Sequence, residues 1–322
     1  MMPETETVLD RRRMRRHVSL WRIAAIVAGV LALASMLGAS GAFEGLAGKE
    51  YIARYSVTGT ITEKRKELEL LDEIAEDDEA VALIVFINSP GGTSTGGEAL
   101  YEALRKVAKK KPVVAQFGTV AASAGYITGL GSDHIVARGN SITGSVGVIA
   151  QWPEFAGVLD KVGVKVNEIR SGELKAIPSP FHPLSEEGRQ ETQNMVDDSF
   201  KWFLDLVKDR RGIDTASVPG LEKGRVFTGR QALGHKLVDE IGGLDEVLAW
   251  LEKKHKINKD LDVVDKEPKS ESRLGALSLT RSSVREMASE IVSGASDALT
   301  GGEASRLLRL DGLVSVWHPS EN

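Results

Sequence analysis

Ser123 lies in "GTVAASAGY", Gly118 to Tyr126, where the residues flanking the hydroxyl are almost all glycine or alanine. The plain reading is tight packing, because small residues let two backbones approach closely. The chemical reading is a site in which backbone N–H groups, not side chains, must reach a substrate. A second glycine-rich stretch, "NSPGG" (Asn88 to Gly92), follows the preceding strand pattern and supports it. In a parallel sheet the carboxyl ends of the strands line one edge, and ligands bind there. The N–H groups of Gly91 or Gly92 and of Ala124 would then form an oxyanion hole beside Ser123. Losing one such donor typically raises a barrier by about 3 kcal/mol.

A serine hydroxyl needs a base at neutral pH. His17 precedes an apolar run, His134 sits in a strand pattern, His235 and His255 sit in lysine-containing helical contexts, and His318 follows "LVSVW". His182, in "SPFHPL", is the histidine in a site-like loop. Lysine is the alternative, as in Ser–Lys variants of the triad. Such a lysine must be brought from about 10.4 toward 7–8, roughly 4 kcal/mol of preference for the neutral amine. Desolvation in an apolar pocket can supply this. Lys109, Lys110 and Lys111 lie in a solvated run, whereas Lys175 lies in "SGELKAIPSPF", before apolar, proline-rich sequence. At this level both bases stand.

Ser145, Val146 and Gly147, in "TGSVG", read as a turn and a substrate subsite, and Ser89 as a brace within its own turn. Glu98 and Glu102 read as a solvated helix face rather than a metal or paired-carboxylate site. No metal, nucleotide or organic cofactor is indicated.

These residues need a scaffold, and the pattern from Tyr51 to about Lys256 is that of an α/β fold. "VALIVFI" reads as a strand buried on both faces, "NSPGGTSTGG" as a turn, "EALYEALRKVAKK" as a helix and "VVAQF" as the next strand. "AASAGYITGL" reads as a helix, "HIVAR" and "SVGVI" as strands, "PEFAGVLDKVG" as a helix and "VKVNEI" as a strand. A long helix is expected from Ser185 to Arg210, opened by the box-like "SEEGRQE", and two short helices from Thr228 to Leu251. Beyond Lys256, "KDLDVVDKEPKSESRLG" is polar and linker-like. The expected organisation is a basic leader (1–22), an apolar span (23–43), a catalytic domain (44–256) and a linker with a tail (257–322).

The 322 residues carry a net charge of -5, so no basic field invites nucleic acid. There is no cysteine, which excludes disulfides, thiol catalysis, thiolate metal sites and a lipidated cysteine anchor. Ile23 to Phe43 is uncharged and, at about 21 residues, spans roughly 31 Å as a helix, enough for a bilayer core. Arg11, Arg12, Arg13, Arg15, Arg16 and Arg22 precede it, which predicts a single pass with everything after residue 44 on the extracytoplasmic side of the cytoplasmic membrane. A cleaved signal peptide, with "LGASGA" near the cut, is the rival reading; either way the domain is exported.

"FINSPGG", "GTVAASAGY", "TGSVGVI", "SGELKAIPSPF" and "GRVFTGRQALGHKLVDEIGGLDEVL" occur in this order and together resemble the S49 serine peptidases of the signal peptide peptidase A type, in their single-repeat form. The resemblance covers roughly Tyr51 to Leu251. It implies a ClpP/crotonase-like fold of repeated β-β-α units and homo-oligomeric rings whose sites face an enclosed chamber. It also implies Ser123 as nucleophile, Lys175 as general base, and the glycines after Pro90 with Ala124 as oxyanion donors. In single-repeat members the dyad can be completed across a subunit boundary. The implied substrates are signal-peptide remnants or other extended apolar peptides. Two other classes remain at this level: a catalytically silent crotonase-like membrane scaffold or peptide-binding protein, and an acyl-CoA hydratase or isomerase, which export disfavours.

Overall fold

In the computed structural model of this chain, the described residues are 49–268 and the strand Val314–Val316. The expected membrane span 23–43 and its arginines lie outside them, as do His17 and His318. Among the described residues, no helix is long and apolar enough to cross a membrane.

Three parallel strands form the centre of a mixed sheet: β1 (Tyr51–Ile61), β2 (Ala80–Thr93) and β3 (Val113–Ala122). Helices α1 (Arg65–Glu76) and α2 (Ser94–Ala108) connect them, and α3 (Ala124–Leu130) follows β3 with only Ser123 between. β3 then serves two neighbours along its length. Its first half pairs with β4 (His134–Ala137) and its last residues with β5 (Ile142–Gly144), both parallel. β6 (Val226–Thr228) runs antiparallel to β5, β7 (Glu240–Ile241) parallel to β4, and β8 (Val263–Lys266) parallel to β1. β9 (Val314–Val316) pairs antiparallel with the end of β2. The elements alternate strand and helix up to α3, rather than repeating a β-β-α unit.

Strand alternation explains the two-sided core. Leu83, Val85 and Ile87 of β2 join Leu71, Leu104, Phe117, Tyr126 and Phe203 on one face. Ala82 and Ile84, the residues between, join Ile52, Val114, Val136, Val247 and Leu251 on the other. The first face is covered by α1, α2, α3 and part of α5 (Glu186–Arg211); the second by α7 (Leu244–His255). Ser185 caps α5 by accepting from the Gly188 N–H at 3.1 Å, and Gly212 closes it at φ 62°. With glycine at the third helical position, the reciprocal side-chain bond of a capping box is missing.

Four expectations change. Strands β2 and β3 run through the glycine-rich stretches, to Thr93 and Ala122, where turns were expected. "VKVNEI" forms no strand, and most of "SVGVI" is irregular; an alternating pattern without a neighbouring backbone has no ladder to join. The helix expected across "PEFAGVLDKVG" is only α4 (Ala156–Lys161), which buries no residue. The sheet also passes the boundary expected at 256, since β8 lies within the polar stretch and pairs with β1.

Tyr126 ties α3 to the far side of the fold. Fully buried, its Oη donates to the Leu237 carbonyl at 2.8 Å, and burial holds the phenol above its ordinary pKa. Tyr126→Phe leaves that carbonyl without its donor and is expected to lower unfolding free energy by about 1–3 kcal/mol in denaturant titration.

Candidate active site

Ser123 occupies the turn between β3 and α3 in an uncommon conformation, φ 58° and ψ -119°. A positive φ on a residue with a Cβ costs about 1–3 kcal/mol and persists only where the surroundings impose it. Here they do. The Ser123 N–H donates to the Gly144 carbonyl at 2.9 Å, and the Ser123 carbonyl accepts from the Ile127 N–H at 2.9 Å. The side chain is buried, at 1% exposure. A strand driven sharply into a helix through one strained serine is the geometry by which hydrolases present a nucleophile.

Both readings of the small residues hold at once. A Cβ on Gly125 would lie 2.9 Å from the Ser89 carbonyl oxygen, and one on Gly129 would lie 2.7 Å from the Phe117 ring. A Cβ on Gly97 of α2 would lie 3.1 Å from that of Ala124. So α3 is small because β2, β3 and α2 press on it, and this pressure fixes the Ser123 turn. The N–H groups of Ala124, Gly125 and Tyr126 have no acceptor within so short a helix start.

The register brings "NSPGG" to the same edge. Ser89 of β2 is level with Ala121 of β3, the last pair of that register, so "NSPGG" and Ser123 both lie toward the same end of the two strands. Gly91 has φ 121° and Gly92 is pressed against β1, where a Cβ would lie 1.8 Å from the Ile61 carbonyl oxygen. Neither position tolerates a side chain. Ser89 braces this turn as expected: its Oγ accepts from the Gly91 N–H at 3.1 Å and donates to the Gly91 carbonyl at 3.3 Å. The Gly91 N–H is thereby engaged within its own turn.

Ser145, Val146 and Gly147 follow β5 directly beside Ser123, because Gly144 pairs with Ala122. Ser145 also has a positive φ, 52°, with its N–H on the Arg225 carbonyl at 3.0 Å. With Val148 and Ile149 they line one wall of a cavity of about 470 Å³, opposite Gln193 and Phe200 of α5. Its walls are mixed apolar and polar, suited to one side chain of an extended chain.

Lys175 is placed differently. Its N–H bonds the Gly172 carbonyl at 3.1 Å in an exposed turn, and its side chain is exposed. Much of the surrounding stretch is uncovered: Phe155, Val158, Val162, Ile169 and Phe181 are exposed, Ile169 completely. The histidines serve elsewhere. His182 Nε2 faces Glu168 at 3.6 Å, His134 stacks on Trp250 and bonds Glu240, and His235 packs edge-on to Phe227. Glu98 is partly buried beside Glu102, and burial raises its carboxyl pKa. Ser123's backbone strain and the Ser89–Ala121 register are the features that sequence reading missed; the glycines on both strands were their signal.

A parallel-stranded sheet with a serine at such a strand-to-helix turn is the architecture of Clp-type peptidases, and residues 56–138 match the Clp protease profile. Residues 105–258 match the profile of Peptidase family S49. A Synechocystis sp. protein provisionally named a protease is 37% identical over 203 residues, 63% of this chain and 73% of its own length. A provisionally named signal peptide peptidase SppA of Enterococcus faecium is 35% identical over 196 residues, 61% of this chain and 57% of that one. Protease 4 of Haemophilus influenzae is 32% identical over 207 residues, and this chain spans only 34% of it. The chain belongs to peptidase family S49 and has the ClpP-like fold of that class.

Proposed function

We propose that this chain is a membrane-anchored, homo-oligomeric serine endopeptidase in which Ser123 and Lys175 form a dyad. Its proposed substrates are remnant signal peptides and similar extended apolar segments on the extracytoplasmic side of the cytoplasmic membrane. The observation that carries the reading is the Ser123 turn: a buried serine with strained backbone, at the same end of the sheet as "NSPGG", in a chain of a peptidase family.

Ser123 Oγ attacks the peptide carbonyl carbon while its proton passes to the neutral Lys175 amine. The carbonyl oxygen becomes an oxyanion held by the N–H groups of Gly92 and Ala124. Collapse breaks the C–N bond, and the Lys175 ammonium returns its proton to the leaving amine. Water, deprotonated by the same lysine, then attacks the acyl-enzyme and releases the second product with Ser123 restored. The 470 Å³ cavity beside Ser145 takes a substrate side chain.

To accept a proton, a lysine amine must be held away from water. Oligomerisation answers this. The uncovered apolar residues around Lys175 are what a protomer interface would bury, and burying them would dry the lysine beside a neighbour's Ser123. Ser123→Ala and Lys175→Ala are each expected to be inactive on an apolar reporter peptide. Co-assembled at equal amounts, they should recover about a quarter of wild-type activity, because in a ring one site in four receives an intact residue from each side. A mixture that stays inactive removes the shared dyad.

The scaffold reading gains no specific support from a site built this way, and neither does the acyl-CoA reading.

A further inference from the structure

We infer that Asn88 is a positioning residue for Ser123: its side chain holds the bulge in β3 from which the serine turn is set. This deepens the proteolytic reading and rests on it. The register is the first observation. From Leu83–Val113 to Ile87–Phe117 the two strands pair one to one, but the next pair is Ser89–Ala121. Asn88 alone on β2 thus faces Gly118, Thr119 and Val120 on β3. The two extra residues take up roughly 7 Å of extended chain. Ala121 is drawn back along β2 by that length, and Ser123 follows from it. Because an even number of residues is absorbed, the side chains keep their faces, and Phe117 and Ala121 stay in the same core.

The filling of the bulge is the second observation. Bulged residues lose their ladder partners, and their backbone groups must be satisfied otherwise. Asn88 Oδ1 accepts from the Thr119 N–H at 3.1 Å and from the Val120 N–H at 3.2 Å. The Gly118 carbonyl accepts from Ser141 Oγ at 2.6 Å. Glycine at 118 leaves room for this, since a Cβ there would lie 3.1 Å from Asn88 Cβ and 3.0 Å from the Phe86 ring. At the bulge β3 also exchanges neighbours, from the Phe117–Ala137 pair with β4 to the Val120–Ile142 pair with β5. β5 then supplies the Gly144 carbonyl that holds the Ser123 N–H at 2.9 Å. One amide oxygen therefore sits where the strand changes both register and neighbour, just before the nucleophile.

Exposure separates this role from a purely structural one. Asn88 is exposed, so in its absence water can reach the two N–H groups and the fold loses little. Water does not fix their direction. Misplacing a reacting group by about 1 Å costs on the order of 10²-fold in rate.

The test compares two variants of the full-length chain: Asn88→Leu, of similar shape without the acceptor, and Asn88→Asp, which keeps an acceptor oxygen. On the apolar reporter peptide, Asn88→Leu should lower kcat about 30- to 100-fold with KM within about twofold of the wild type. Asn88→Asp should recover kcat to within about fivefold of the wild type. Denaturant titration should show Asn88→Leu folded under the assay conditions. Hydrogen exchange over residues 118–126, followed by mass spectrometry, should be at least about tenfold faster in Asn88→Leu and near the wild type in Asn88→Asp. A kcat for Asn88→Leu within about twofold of the wild type overturns the proposal. So does an equal loss in Asn88→Asp, a loss that only follows the folded fraction, or unchanged exchange. If the exchange difference appears while the wild type hydrolyses no peptide, the bulge assignment stands and the proteolytic reading falls.

Discussion

Ser123→Ala is expected to reduce peptide hydrolysis by at least about 10⁴-fold while leaving the fold intact, since in the proposed mechanism its hydroxyl forms the acyl bond. The accompanying stability change separates this from damage. Ser123 holds φ 58°, a region in which any Cβ is strained. Alanine keeps that strain, so the unfolding midpoint of Ser123→Ala should stay close to the wild type. Ser123→Gly relieves it and should be more stable by about 1 kcal/mol, though equally inactive. Activity and stability thus move in opposite directions at one residue. Denaturant titration beside a peptidase assay checks both. A glycine variant less stable than the alanine variant would mean that the turn carries no strain.

The second large effect is structural. Gly92→Ala would put a Cβ 1.8 Å from the Ile61 carbonyl oxygen and 2.5 Å from its carbon, both backbone atoms of the adjacent strand. No rotamer change can relieve a clash with backbone, so β1 and β2 must part where Thr60 and Ile61 meet Gly91 and Gly92. The expected destabilisation is on the order of 3–5 kcal/mol, with hydrolysis lost as the oxyanion donor moves. Gly147→Ala is the control. Its Cβ would meet nothing nearer than Gly224 Cα at 3.9 Å, so its stability should stay within about 0.5 kcal/mol of the wild type. Because Gly147 lines the cavity beside Ser145, that variant should instead change which side chains are accepted next to the scissile bond.

The contrast between these glycines shows what was legible in the sequence. "VALIVFI" and the lysine-ended helix after it are local patterns, and they appear as β2 and α2 because burial on both faces and helical periodicity are written in neighbouring residues. Ser123 and the glycines of "NSPGG" could be singled out because dense small residues signal close backbone approach, whatever its purpose. Their relation could not. That both stretches lie toward the same end of the sheet follows from the Ser89–Ala121 register, a property of two strands more than thirty residues apart. The engagement of the Gly91 N–H by Ser89 Oγ is likewise a matter of turn geometry.

Strand ends were misread because glycine ordinarily weakens a strand interior, yet here it permits the tight contact with β1. β8 lies in surroundings too polar, and β9 is too short, for periodicity to reveal them; each pairs with an edge left open, of β1 and of β2 respectively. The stretch around Lys175 is the reverse case. Its alternating "VKVNEI" promises a strand, but the single chain offers it no neighbour, and its apolar side chains stay uncovered.

The account rests on Ser123 as the acyl-forming nucleophile, and covalent labelling tests it most directly. The full-length protein is treated with a fluorophosphonate, digested, and the adduct located by mass spectrometry. The account predicts one modified residue, Ser123, and no adduct in Lys175→Ala. An adduct on Ser89 or Ser145 instead, or an unlabelled Ser123 in an assembly that still hydrolyses peptide, would contradict it.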